Sequence, residues 1–172
     1  MEILYSKIIG MPVFVPENPR PLCIVQDIVI DPVSGKIIAF VVDSRRGLIV
    51  TPMDVVSMKH GVLIRDADDI VLAEDILSVK KIQSDEKLFH KRVETETGKQ
   101  LGIVVDIVID DRSLTLNKLY TAKTFLGIIQ FDGRVIAAKN IVEIRKNKVV
   151  VKDDSGEVRD AERGEAEMAF SG

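Results

Sequence analysis

The chain has 172 residues, with 24 Lys plus Arg against 27 Asp plus Glu, two His, one Cys and no Trp, which allows one ordinary domain or two small ones. Its 46 % hydrophobic and 30 % charged residues exclude disorder over most of the chain. The longest uncharged stretch, Ile8 to Pro16, is nine residues, against the roughly 20 that a spanning helix needs, so no membrane span is expected.

The single Cys, Cys23, cannot close an intramolecular disulfide, which favours a reducing, cytoplasmic setting. The first residues lack a basic start followed by an apolar run, so no secretory signal is expected. There are 21 Ile and 23 Val against nine Ala, and β-branched side chains lose less on a pleated surface than in a helix. Mostly strand is therefore expected. Charge is uneven: residues 1–83 carry a net -2, residues 84–152 a net +4 and residues 153–172 a net -5.

In chain order, the first clear strand is Ile24 to Asp31. The alternation puts Ile24, Gln26, Ile28 and Ile30 on one face and Val25, Asp27, Val29 and Asp31 on the other. Asp31-Pro-Val-Ser-Gly35 has the residues of a turn, and Lys36 to Val42 reads as the return strand of a hairpin. His60-Gly61 marks a second turn. Ile70 to Ile82 has apolar positions compatible with a helix or with an extended connector. Ile103 to Asp110 is a further strand, with turns expected at Asp132-Gly133 and Lys146-Asn147. From Asp153 carboxylates dominate, and this acidic tail is expected to be mobile or to form a short helix that docks on a partner.

These elements are organised by a repeat. Ile24-Val-Gln-Asp-Ile-Val-Ile-Asp31 recurs 79 positions later as Ile103-Val-Val-Asp-Ile-Val-Ile-Asp110, with seven of eight residues identical. Upstream, Ile8 to Val13 lies against Leu88 to Val93 at an offset of 80, and downstream, Ile49 to Ile64 lies against Val135 to Val150 at an offset of 86. Three blocks in the same order make two copies of one unit. Short strands with frequent turn signals suggest a small barrel or sandwich in each.

A strand ending in apolar-Asp-apolar-apolar-apolar-Asp, preceded by Val, then Gly, then Leu-Gly, resembles the PRC-barrel family. The second copy fits best, with Val93, Gly98, Leu101, Gly102, Asp106 and Asp110. The first keeps Gly10, Val13, Leu22, Val25, Asp27 and Asp31-Pro-Val-Ser-Gly35, but has Pro19 and Cys23 near the positions of Gly98 and Gly102. The resemblance covers about residues 3–152 and implies a mostly antiparallel barrel per copy. It also implies docking roles, as in a cytoplasmic domain of a photosynthetic reaction centre or a ribosome-maturation factor, without a catalytic signature.

The supply of reactive side chains is thin. His60 and His90 are the only imidazoles and read as solvated surface residues rather than ligands. Zinc commonly takes three or four Cys or His ligands, so no metal site is expected, and no cofactor-binding motif occurs. Cys23 reads as a small buried hydrophobe rather than a nucleophile. Asp27 and Asp106 are equivalent carboxylates set between valines, a costly position unless they are hydrogen-bonded. Their duplication favours a structural role over acid-base chemistry. Asp66, Asp68 and Asp69 lack the Gly and Glu spacing of a calcium loop and read as a solvated turn.

For RNA, the best patch is Lys139, Arg145, Lys146, Lys148 and Lys152, joined by Lys91, Arg92 and Lys99, although no aromatic stacks beside it.

The reading is an all-β protein of two tandem small antiparallel β-barrels: residues 1–83 with a short connector, residues 84–152, and an acidic C-terminal tail over residues 153–172. It is expected to be a non-enzymatic adaptor without metal or cofactor, docking on a protein or ribonucleoprotein assembly. The alternative is an RNA-binding accessory factor that uses the basic hairpin. The expected contact surface is the second copy's insertion, Asp111 to Arg134, with Phe125 and Leu126, together with Lys139, Arg145, Lys146 and Lys148. Asp27, Asp106, Gly98 and Gly102 are expected to be structural, and self-association through barrel faces or edges to be a further mode.

Overall fold

The structure, a computed structural model, describes residues 1–76, 88–125 and 128–156, without the side chains of 124, 125, 128–133, 155 and 156. The described residues form strands joined by turns, with one four-residue helix. The all-β expectation therefore holds. The first copy comprises β1 (Glu2–Leu4), the helical turn α1 (Tyr5–Ile8), β2 (Pro12–Val15), β3 (Asn18–Ile24), β4 (Asp27–Ile30), β5 (Ile37–Asp43), β6 (Leu48–Val50), β7 (Val55–Ser57), β8 (Val62–Ile64) and β9 (Ile70–Leu72). The second comprises β10 (Arg92–Thr95), β11 (Gln100–Asp110), β12 (Thr115–Phe125), β13 (Ile128–Ala137), β14 (Ile141–Ile144) and β15 (Lys148–Val151).

The pairing repeats with the sequence. β2 pairs antiparallel with β3 and parallel with β8, which pairs with β7. β10 likewise pairs with β11 and with β15, which pairs with β14. The β4–β5–β6 meander has its counterpart in β11–β12–β13. Even the single 3-10 turns correspond, Pro52–Asp54 with Ala138–Asn140 and Ala67–Asp69 with Asp153–Gly156.

None of the three sheets closes on itself among the described residues. The first copy makes two four-stranded sheets, and the second contributes to one seven-stranded sheet. No helix among the described residues is long and apolar enough to cross a membrane.

The two copies share one core. Ile8, Val13, Val25, Phe40 and Ile64 of the first belong to the same buried cluster as Leu101, Ile107, Leu119, Ile136 and Val149 of the second. A satellite cluster of Ala39, Val41 and Ile49 lies under Ala73 and Ile76 in the first copy. Its counterpart, Val108, Tyr120 and Val135, lies against Leu4 in the second. Leu4 is there because β1 leaves its own copy to pair antiparallel with β11, Ile3 opposite Ile109.

The copies also meet through their turns. Lys36 and Thr115, which occupy the same place in the two units, form an antiparallel bridge. Ile37 N–H donates to Leu114 O and Leu116 N–H to Gly35 O, both at 2.8 Å. Exchanging the copies turns one of these bonds into the other, the local signature of a two-fold relation.

Several expectations are corrected. Ile24 to Asp31 is not one strand: Ile24 ends β3 and Asp27 opens β4 in a different sheet. Of the two readings open for Ile70 to Ile82, the described part is not α-helical: Ile70–Leu72 is strand β9, which finds its hydrogen bonds on β6, followed by a single 3-10 turn over Ala73–Asp75; residues 77–82 lie outside the described residues. Asp132-Gly133 is not a turn: it lies within β13, where the seven extra residues lengthen a hairpin. Order continues past residue 152, since Asp153 accepts from the N–H and hydroxyl of Thr97 at 3.1 and 2.8 Å. The tail from residue 157 lies outside the described residues.

Candidate functional site

The repeated aspartates lie at the seam between the copies. Asp106 is 3 % exposed, and its carboxylate accepts from Ile107 N–H at 2.8 Å, Ser6 N–H at 3.3 Å and Ser6 Oγ–H at 2.6 Å. Asp27 accepts from Ile28 N–H at 2.9 Å and from Tyr5 Oη–H at 2.8 Å. Each carboxylate thus bonds the amide that follows it and a side chain of α1. Tyr5 is packed on Phe89 of the second copy, with ring centroids 4.1 Å apart. Burial pushes its phenol well above the ordinary range, helped by the bond to Asp27 and by the charges of Asp27 and Asp106. The phenol keeps its proton as a donor to Asp27 within the first copy, while the bonds from Ser6 to Asp106 tie α1 to the second copy.

Neither histidine is drawn into this seam. His60 and His90 are exposed. His90 has φ +64° and takes the place of Gly10, φ +84°, in the first copy: Gly10 N–H donates to Val25 O and His90 N–H to Val104 O. It is a turn residue in the left-handed region that glycine normally fills. Cys23 is partly buried among core residues, and burial raises its thiol pKa, with a smaller contribution from the charge of Asp43. Asp66, Asp68 and Asp69 form a capping box around a 3-10 turn. No group of three His, Cys, Asp or Glu among the described residues is arranged to hold a metal.

The basic hairpin is present, but much of its charge is answered. Arg145 pairs with Glu143 and Lys148 with Glu94, which also accepts from Gln100 Nε2–H at 3.1 Å. These cations hold the Glu143 and Glu94 carboxyls below the usual range. Lys91 does not join the patch: it is 6 % exposed and donates to Arg145 O at 2.7 Å, fastening β14 to the segment before β10. Lys139, Lys146 and Lys152 are exposed. Phe125 ends β12, a strand lengthened by the insertion, and its side chain and the whole of Leu126 lie outside the described residues.

The glycines expected to be structural play different parts. Gly98 has φ +86° in open space, and its N–H donates to Thr95 O in the turn between β10 and β11. Gly102 has φ +114°, and a Cβ there would fall on Ala122 O, with the Ala122 carbonyl carbon at 2.8 Å. Strand β12 therefore passes directly over it.

Apolar side chains left in solvent were not anticipated. Val56 on β7 and Val142 on β14, equivalent by the offset of 86, are 57 % and 46 % exposed, and each strand ends its sheet. Leu22 and Ile24 on β3 are 39 % and 50 % exposed. Alternation could have flagged Leu22 and Ile24 as sharing a face, but not that this face is uncovered. No protein-family model matches the chain, and a search of curated proteins finds no significant match.

Proposed function

We propose that the chain is a pair of PRC-type barrel units fused into one body, acting as a non-catalytic docking protein on a protein or ribonucleoprotein assembly. One observation carries this reading: the repeated carboxylates that could serve chemistry are engaged in internal hydrogen bonds, while apolar side chains stand exposed on strands of both copies. Exposed strand edges with apolar residues suit recognition by pairing and packing. RNA binding is the competing reading, supported by the exposed Lys139, Lys146 and Lys152.

Affinity recovery with the full chain as bait, with and without ribonuclease, tests both. Specific protein partners that survive ribonuclease are the expected result. Recovery that disappears with ribonuclease, falls steeply with added salt and weakens in Lys146→Glu would replace docking by RNA binding.

A further inference from the structure

Resting on the docking reading, the structure points to a specific surface and occupant. We infer that the outer strip of β3 receives an extended protein segment carrying apolar residues at alternate positions and carboxylates at both ends.

The second copy shows what such a strip looks like when covered. Leu101 is fully buried, and Ile103 pairs with Ala122 of β12. Their first-copy counterparts are Leu22 and Ile24, and the counterpart of Ala122 is Asp43, where β5 ends. Beyond it, Ser44 N–H turns aside to Gln26 Oε1 at 2.9 Å. Hence, among the described residues, β3 pairs with β2 alone and stands at its sheet's edge.

Three exposed arginines, Arg20, Arg45 and Arg46, accompany this edge, with Glu17 and Asp43 as the carboxylates next to them in the chain. Arg20, Leu22 and Ile24 are all exposed along β3, whose pairing with β2 slips register between Asn18 and Cys23. Arg45 and Arg46 are held at the other end by the hairpin tip, their N–H groups both bonded to Asp43 Oδ1 at 3.0 Å. Arg46 has only a loose contact with Asp43, 3.7 Å, and its side chain is 79 % exposed. Neither Arg20 nor Arg45 has a side-chain partner among the described residues. β3 ends at Ile24, so from Arg20 to Ile24 the strip spans at most roughly 13 Å at about 3.3 Å per residue. The matching occupant is an extended stretch of about four to five residues, apolar where it meets Leu22 and Ile24 and acidic where it meets the guanidinium groups. Pro19 and Pro21 have no N–H to offer, which confines strand pairing to the Leu22–Ile24 end.

The test is selection of random linear peptides displayed on phage against the full-length protein, with Ile24→Thr and the double variant Arg45→Glu/Arg46→Glu in parallel. All three changes are at exposed positions, and circular dichroism and thermal melting verify that the variants fold. The expected outcome is enrichment of acidic–apolar alternating peptides, whose affinity for each variant falls about tenfold or more. Absence of enrichment, peptides that bind both variants unchanged, or apolar peptides indifferent to the arginine reversal would each overturn it. Dimerisation of the protein abolished by Ile24→Thr would assign the strip to a second copy instead. Failure here with ribonuclease-resistant partners still recovered removes this surface and leaves the docking reading intact.

Discussion

The two copies follow the same path until Gly102 in one and Cys23 in the other. At Gly102 the missing side chain lets β12 cross, so β11 runs unbroken from Gln100 to Asp110 and ties two layers into one sheet. Cys23 brings the Cβ that this crossing cannot accept. There β5 stops at Asp43, the counterpart of β11 divides into β3 and β4, and two sheets replace one. The second copy also has seven extra residues that lengthen the β12–β13 hairpin, so a position without a side chain and a longer hairpin together cover the strip that the first copy leaves open.

The sharpest way to break this contrast is Gly102→Ala. Overpacking plus a disfavoured φ is expected to cost about 3 kcal/mol, read as a lower urea midpoint. Cys23→Ala is expected to stay within about 1 kcal/mol, since it keeps a Cβ and loses only one partly buried sulfur. Equal losses at the two positions would remove the explanation.

Next comes the aspartate pair. Asp106→Ala is expected to cost about 2–3 kcal/mol by stranding the buried Ile107 amide and the Ser6 donors. Asp27→Ala, in a more exposed position, is expected to cost about 1–2 kcal/mol. Urea melts of the two variants and the double mutant would expose any coupling through α1.

The left-handed positions run the other way. His90→Gly is expected to stabilise by about 0.5–1 kcal/mol, by relieving a side chain in the αL region, while Gly10→Ala destabilises by a similar amount. Differential scanning calorimetry of both checks the sign.

Smaller effects should appear at the extremes of pH. Tyr5 has a raised folded-state pKa, so the stability that its protonated phenol supplies is fully present below about pH 10 and lost as pH rises beyond. Tyr5→Phe should flatten the alkaline limb of a stability–pH profile. The equivalent turn aspartates behave oppositely. A bond from the Ser34 hydroxyl lowers the Asp31 pKa, and the Ser113 amide lowers that of Asp110. Their contribution is present above about pH 4 and lost as pH falls through the lower folded-state values. Asp31→Asn and Asp110→Asn should each differ from the parent at neutral pH and converge on it in acid.

What could be read from the residues was whatever is local. The second octet, the Asp31–Gly35 turn and the offsets of 79, 80 and 86 found their strands and turns, because alternation and turn chemistry act over a few neighbours; the first octet is divided, Ile24 ending β3 and Asp27 opening β4 in another sheet. What could not be read depended on distant chain. Nothing near Glu2–Leu4 says that it pairs with β11, far along the sequence. The basic count near residue 91 could not show Lys91 buried against the Arg145 carbonyl, and Asp132-Gly133 has turn chemistry yet lies inside β13, where the pairing with β12 slips register. Among the site residues, Asp27 and Asp106 were visible as a repeated cost. The donors that settle it, Tyr5 and Ser6, lie far from Asp106 in sequence and were not.

The antiparallel meeting of Lys36 with Thr115 carries an arithmetic consequence. An object built on a half-turn would show every outward feature in duplicate and would recruit visitors in pairs. Here divergence at Gly102 and in the longer second hairpin has closed one of the twin berths and kept the other, so each polypeptide has room for one guest, and titration of a saturating peptide should end at a molar ratio of one.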